Sequence, residues 1–290
     1  MSLVNDDIAP VGSTRRSWRA QLGGGSVLLC VGLLMLAIMI VTTVLAPWIV
    51  PYDPSASIGM PLSPPNAEHL LGTDVIGRDI LSRLISGGRT TLLITGIAVS
   101  LALVAGLILG LLSGYLGGIV DETIMRILDV VFAFPVFLLA IAVVAALGPT
   151  IPNLIITIAI VYTPAMARVV RGPVLSVKQW DHVEAARSIG VGDVRIVSRH
   201  ILPIVASPVV VETSLTLAQT IFTVTALSFL GLGPPPPDPN WGGMLAESRQ
   251  FMELAPITVI APAGAIVFAT MTFIILANGL REFLNVSTRR

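Results

Sequence analysis

An all-α fold is expected for this chain, a polytopic membrane protein of six transmembrane helices with one charged loop set among them. Three observations lead there. Of its 290 residues, 54% are hydrophobic and 12% charged, about half the charged fraction of an ordinary soluble domain, and the mean hydropathy is +0.89. Apolar runs recur at the length a bilayer needs, roughly 20 residues. Between the fourth and fifth of them lies Trp180–Pro203, which is charged and contains no apolar block of that length.

Residues 1–26 are polar, with Arg15, Arg16 and Arg19 just ahead of the first run, 27–50. Val44-Leu45-Ala46 looks like a signal-peptidase site. The run exceeds the ~7–15 residues of a signal's apolar region, so a retained anchor is the better reading. Residues 51–90 read as a polar, proline-rich loop that ends in an amphipathic helix. Ile76, Ile80, Leu84 and Gly87 share one side of it, while Arg78, Asp79, Ser82 and Arg83 lie elsewhere, as on a membrane surface.

The core is expected over 91–282. Span two, 91–112, leads Gly106, Gly110 and Gly114 along one face, with Gly118 continuing the phase; such glycines let helix backbones approach closely in lipid. Span three, 124–147, contains Asp129, expected to pair with Arg126 on the same helix side, and Pro135, expected to kink it. Gly148-Pro149-Thr150 turns into span four, 151–170.

The charged loop, 176–203, follows. Ser176 or Asp181 can cap a short helix, Gly190-Val191-Gly192 breaks it, and Asp193 can cap a second that Pro203 closes or passes on. Two short helices at an angle between two spans make a lever. A solvated connection is the alternative, and residue chemistry alone does not choose.

In span five, 204–230, Glu212, Thr216, Gln219 and Thr223 fall on one stripe. A carboxyl in hydrocarbon costs on the order of 2.5–3.5 kcal/mol, so Glu212 should face a partner or water. The stripe reads as the lining of a translocation path or as glue between helices; four polar groups are more than glue requires, which favours the path. A second outer loop, 231–255, combines the stiff, extended run Pro234–Pro237 with Trp241, suited to a membrane interface. Span six ends near Leu280, and 283–290 form the tail.

Cys30 is the single cysteine, and the histidines are His69, His182 and His200, so no cysteine or histidine-rich metal site is expected. Zero formal net charge implies no nucleic acid or other polyanion partner. No glycine run is followed by Gly-Lys-Ser/Thr, so no nucleotide loop is present. Every basic residue except Arg78, Arg83, Arg89 and Arg249 falls on the side of the termini and the charged loop. That side is therefore expected to be cytoplasmic.

Glu184-Ala185-Ala186, then Gly190, then Leu202-Pro203 resemble the EAA loop of permease subunits in ATP-binding-cassette (ABC) importers, although His200 replaces an isoleucine often found there. Gly72-Thr73-Asp74, Gly77-Arg78-Asp79, Ser82-Arg83, Gly87 and Arg89 are similar to the C-type subunit of the dipeptide/oligopeptide/nickel branch. Asp129 with Phe134-Pro135 and the stretch Leu227–Gly233 add to that likeness, while Val224 replaces an acidic residue.

The resemblance implies a type I importer permease fold, with Glu184, Ala185, Ala186, Gly190, Leu202 and Pro203 coupling it to an ATPase that the small alanines let come close. It implies a non-enzymatic subunit of the plasma (inner) membrane, in contact with membrane lipid. Its expected partners are a homologous permease in a heterodimer, two ATPases carrying ATP and Mg, and an extracytoplasmic substrate-binding protein. Di- or oligopeptides are the expected cargo, with nickel the runner-up. Two other classes fit less well. A membrane enzyme needs converging catalytic groups, and no histidine lies inside a span. An ion-coupled carrier needs buried ionisable pairs, and Glu212 is the one deep carboxyl.

Overall fold

The computed structural model describes residues 18–287 along the backbone and 27–284 with side chains. Residues 1–17 of the expected 1–26 segment and 288–290 of the expected 283–290 tail lie outside the described residues. The long helices are α1 (Trp18–Ile49), α2 (Ile80–Leu116), α5 (Ile151–Val177), α8 (Leu202–Phe229) and α10 (Ile257–Ser287). Shorter ones are α3 (Gly118–Phe132), α4 (Val136–Leu147), α6 (Asp181–Ser188), α7 (Asp193–Ile196) and α9 (Trp241–Ser248). Five helical segments are long and apolar enough to cross a membrane, and α3 with α4 make up a sixth if that bent pair is one span.

Helix α5 is the hub. Of its most apolar stretch 61% is buried, against 11% for α1. Its tightest neighbour is α2, and glycine is the reason. A Cβ at Gly106 would come 2.4 Å from the Met166 Cβ, one at Gly110 would come 2.5 Å from the Ala167 carbonyl oxygen, and one at Gly114 would meet the Val174 Cβ at 2.8 Å. The expected glycine stripe is therefore a seam between two backbones. Gly118 does not extend it, since that residue opens α3 with nothing near its missing side chain. Helix α1 packs along α10 by similar means, with Gly32 against Leu276 and Gly279 against Leu29.

Three elements differ from expectation. The amphipathic stretch is not a separate surface helix: α2 starts at Ile80 and runs unbroken for 37 residues. Asp79 caps it by accepting from the Ser82 N–H at 2.7 Å, and Ile76 lies in the loop before it. Span three is more than kinked, because α3 and α4 meet at 84°. Pro135 supplies no N–H at the break, and ion pairs hold α3 across the end of α5. Arg171 binds both Asp121 oxygens at 2.6 Å and Arg168 binds Asp129 at 2.6 Å. The two aspartates are about 12 Å apart along α3 and the arginines about 4.5 Å apart along α5, so the helices cross. Asp129 thus pairs with Arg168 and not with Arg126, which reaches Glu122 at 2.5 Å instead.

Of the two outcomes expected for the second short helix of the charged loop, the chain takes the second and passes on into the next span. After α7 a single π turn, Val197–Ile201, leads straight into α8. The turn is closed by the Leu202 N–H on the Val197 carbonyl, just ahead of Pro203, which has no N–H to give. Finally, the 234–237 run is not uniformly extended. It turns at Pro236 and Pro237, which share a cis peptide bond.

The α2–α5 seam yields a direct test. Gly110→Leu should overpack it, costing on the order of 1–3 kcal/mol or more, whereas Gly96→Ala should be neutral because nothing lies within 4 Å of that position. Thermal melts of the detergent-extracted protein, followed by size-exclusion recovery, should show a lower midpoint for the first variant alone.

Candidate functional site

The charged loop forms a compact lobe at the end of the bundle where α2 and α5 finish and α8 begins. Helix α6 starts at Asp181 with Trp180, not Ser176 or Asp181, in the capping position and no side-chain cap. Gly190 ends it with φ +81. There the Gly190 and Val191 N–H groups close on the Arg187 and Ala186 carbonyls, and a left-handed backbone favours glycine even though the space is open. Gly192, not Asp193, stands at the cap of α7. The Asp193 carboxylate instead accepts from the Tyr115 hydroxyl at 2.5 Å, anchoring the lobe to the end of α2. Lys178 adds a second anchor, donating to the Gly114 carbonyl at 2.7 Å.

The inner side of the lobe is apolar. Val183, Ala186, Ile196 and Ile201 are buried in one cluster with Val174 and Val177 of α5 and Val205 of α8. Of the Glu184-Ala185-Ala186 trio, therefore, Glu184 and Ala185 face outward, while Ala186 belongs to the chain's own core and leaves no room there for a partner. Leu202 is half-buried and Pro203 exposed at the start of α8. Two outward residues carry no motif: Ile189 is 82% and Val194 84% exposed. Trp180 joins them, its ring set edge-on to that of His182. The signal for them was present as apolar residues flanking the two glycines, but they read naturally as core.

The span-five stripe divides. Gln219 is exposed, and with Thr223, Tyr162, Phe137, Phe222 and Thr270 it lines a groove of about 630 Å³. A second hollow of about 580 Å³ shares Phe137, Phe222 and Thr270 and extends toward Phe229 and Met271. Thr223 hydrogen-bonds the Tyr162 hydroxyl at 2.9 Å, tying α8 to α5 at the groove wall. Thr216 is buried, 1% exposed, and lines neither hollow. Glu212 is half-buried on the lobe half of α8 and makes no hydrogen bond or ion pair among the described residues.

At the opposite end of the bundle the 50–79 loop and α9 form a cap. The polar residues assigned to a wet helix face are buried here and satisfy one another. Asp74 accepts from Arg78 at 2.5 Å and Arg83 at 2.6 Å, and both arginines reach Glu247 of α9, at 2.5 and 3.0 Å. His69 Nδ1 lies 3.0 Å from Asp79. Burial pushes the Glu247 carboxyl above the usual carboxylate range, against the pull of Arg78, while Asp74 adds to the rise. Trp241 is buried too, not at an interface; it donates to the Leu84 carbonyl at 2.9 Å and lies against Gly88.

Removing one member of a buried ion cluster strands its partners and costs about 3–5 kcal/mol. Asp74→Ala should therefore lower the melting midpoint strongly, while Glu122→Ala, at an exposed pair, should leave it unchanged. Equal midpoints for the two variants would show that the cluster contributes no more than a surface pair.

Residues 106–290 match the family described as binding-protein-dependent transport system inner membrane component. A glutathione transport system permease protein, GsiD, of Shigella flexneri serotype 5b (strain 8401) is 47% identical over 254 residues, which cover 87% of this chain and 84% of that protein. Its counterpart in Escherichia coli O6:K15:H31 (strain 536 / UPEC) is 45% identical over the same shares. Among solved structures, an inward-facing form of the MetNI methionine ABC transporter superposes with a TM-score of 0.56 at 18% identity, over 69% of this chain and 94% of that one. An amino acid ABC transporter with histidines gives 0.55, at the same identity and coverage.

Proposed function

Because this chain belongs to the binding-protein-dependent transport system inner membrane component family and is a pore-forming ABC importer permease, we propose that it carries a small peptide-like cargo inward, driven through the 176–203 lobe. Its relatives are named for glutathione, a small peptide, and the cap sequence resembles the peptide branch. The protein acts as one half of a heterodimeric pore with a homologous permease. Two ATPases dock on the lobe, and an extracytoplasmic binding protein delivers the cargo. The excess of arginine on the lobe side and at the termini supports a cytoplasmic lobe, with both termini beside it.

One observation carries the coupling: α6 buries Val183 and Ala186 in one apolar cluster with the end of α5 and the start of α8, while its outer face is bare. Glu184, Ala185, Ile189 and Val194 offer a mixed apolar and acidic surface to an ATPase. When the two ATPases close on ATP, a push on α6 reaches α5 through Val183 and Ala186 and reaches α8 through Ile196 and Ile201. The same two helices meet again at Tyr162 and Thr223, on the wall of the groove. Tilting one against the other there opens or closes the apolar groove to a face of the membrane, which is alternating access built from rigid helices. Gln219 and Thr223 offer the cargo hydrogen bonds within that groove. Glu212, unpaired and nearer the lobe, faces the route beyond it.

Glu184→Lys reverses the charge of the docking surface, and Gly190→Trp forces a bulky side chain into a left-handed turn. Both should reduce ATP-dependent uptake to background and release the ATPase during affinity purification, with the amount of permease in the membrane unchanged. Normal uptake by both variants would overturn the coupling role of the lobe.

A further inference from the structure

At the cap end, beside the ion cluster, lies a pocket of about 260 Å³. Its floor is made by Arg83, Ser228 and Asn240, its wall by the 234–237 proline run, and Glu247 stands at one side. Several donors here have nothing to donate to. Arg83 Nε and Ser228 Oγ are buried with no hydrogen-bond partner among the described residues, in side chains only 3% and 4% exposed. Asn240 spends its side-chain oxygen on the Gly243 N–H, at 2.7 Å, and its amide NH₂ makes no hydrogen bond among the described residues. Folded proteins seldom leave buried donors unmatched, and two of them beside the uncommitted Asn240 amide call for an acceptor.

The pocket is also shaped by two glycines. A Cβ at Gly233 would fall 2.2 Å from Ser228 Oγ, and one at Gly242 would fall 2.7 Å from the Ser228 Cβ. Gly233 closes over the serine hydroxyl, but residues 234–239 make no backbone hydrogen bond among the described residues, so the covering loop can yield. The donor set of guanidinium N–H, hydroxyl and amide N–H matches a carboxylate, the anion best served by a directed arginine donor. Glu247 uses one oxygen, Oε2, for both arginines. Its other oxygen is left to accept from an ammonium.

We propose that this pocket is a receiving subsite for the free carboxylate of the peptide cargo, on the face opposite the lobe, where a delivered molecule waits before the groove opens to it. This rests on the transport reading above. The carboxylate takes the Arg83 Nε–H, the Ser228 O–H and the Asn240 amide, and a nearby ammonium of the same molecule takes Glu247.

The test uses the full transporter in membrane vesicles, with Cys30→Ser to remove the single cysteine and Asp238→Cys at the exposed rim as a reporter. Glycylglycine should slow labelling of that cysteine by a membrane-impermeant maleimide, and glycylglycinamide should not. Ser228→Ala removes a hydroxyl that serves no partner in the fold, so the protein should remain intact. It should nonetheless raise the protecting concentration, and the KM for uptake, about tenfold or more, as expected for a hydrogen bond to a charged group. Equal protection by acid and amide, protection by inorganic phosphate alone, or no effect of Ser228→Ala would each overturn the subsite. Absence of ATP-dependent peptide uptake by the unmodified transporter would instead count against the transport reading, while the labelling result still decides the pocket.

Discussion

The rest of the molecule depends on how closely α2 lies against α5. Neither helix gains from a hydrophobic effect inside a bilayer, where lipid tails are as apolar as leucine, so contact must come from shape. Gly106, Gly110 and Gly114 remove the side chains that would hold the backbones apart, and Met166, Ala167, Val170 and Val174 fill the space. The contact continues from Gly106 back through Ala102, Ala98 and Ile94, in one cluster with Tyr162, Ile158 and Leu154 of α5, so the pair links the two ends of the protein. The cap hangs from the first turns of α2, and the lobe from its last residues and the end of α5.

The two ends use charge in opposite ways. At the cap, Asp74, Arg78 and Arg83 are withdrawn from water and locked into one cluster with Glu247. Such a cluster holds its geometry because every alternative leaves a charge buried alone. At the lobe end, only the Arg171 link to Asp121 is partly shielded, and the links between Arg168 and Asp129 and between Arg126 and Glu122 are largely open to solvent. Exposed pairs of that kind contribute little stability. The α3–α4 elbow, bent by 84°, packs both of its arms against α5.

Much of the lobe could be read from residue types because its features are local. Gly190 ends a helix through its own φ, and a charged stretch between two membrane-length runs has to lie outside the bilayer. The groove was half legible. Gln219 and Thr223 do line it, but the stripe rule also took in Thr216, which the fold buries. Helical spacing gives a direction around the axis of α8 without saying whether α5, α10 or lipid fills that direction at a given height. The cap was misread for a related reason. An amphipathic pattern is normally resolved with its polar side in water, but Arg78, Asp79, Ser82 and Arg83 face inward to partners as distant in sequence as Glu247.

What the sequence by itself determined is where the five long membrane-length segments lie, that a break separates each from the next, and the outward placement of the charged loop. Each follows from hydropathy over a length set by the bilayer, or from the backbone freedom of glycine and proline, and both act within a few residues. What only the tertiary structure decided is which group answers which: Asp129 with Arg168, Tyr115 with Asp193, Trp241 with Leu84, and Ala186 turned inward beside an exposed Ala185. Those choices belong to contacts between helices far apart in the chain, where the neighbour across the seam, and not the neighbour in sequence, sets the energy.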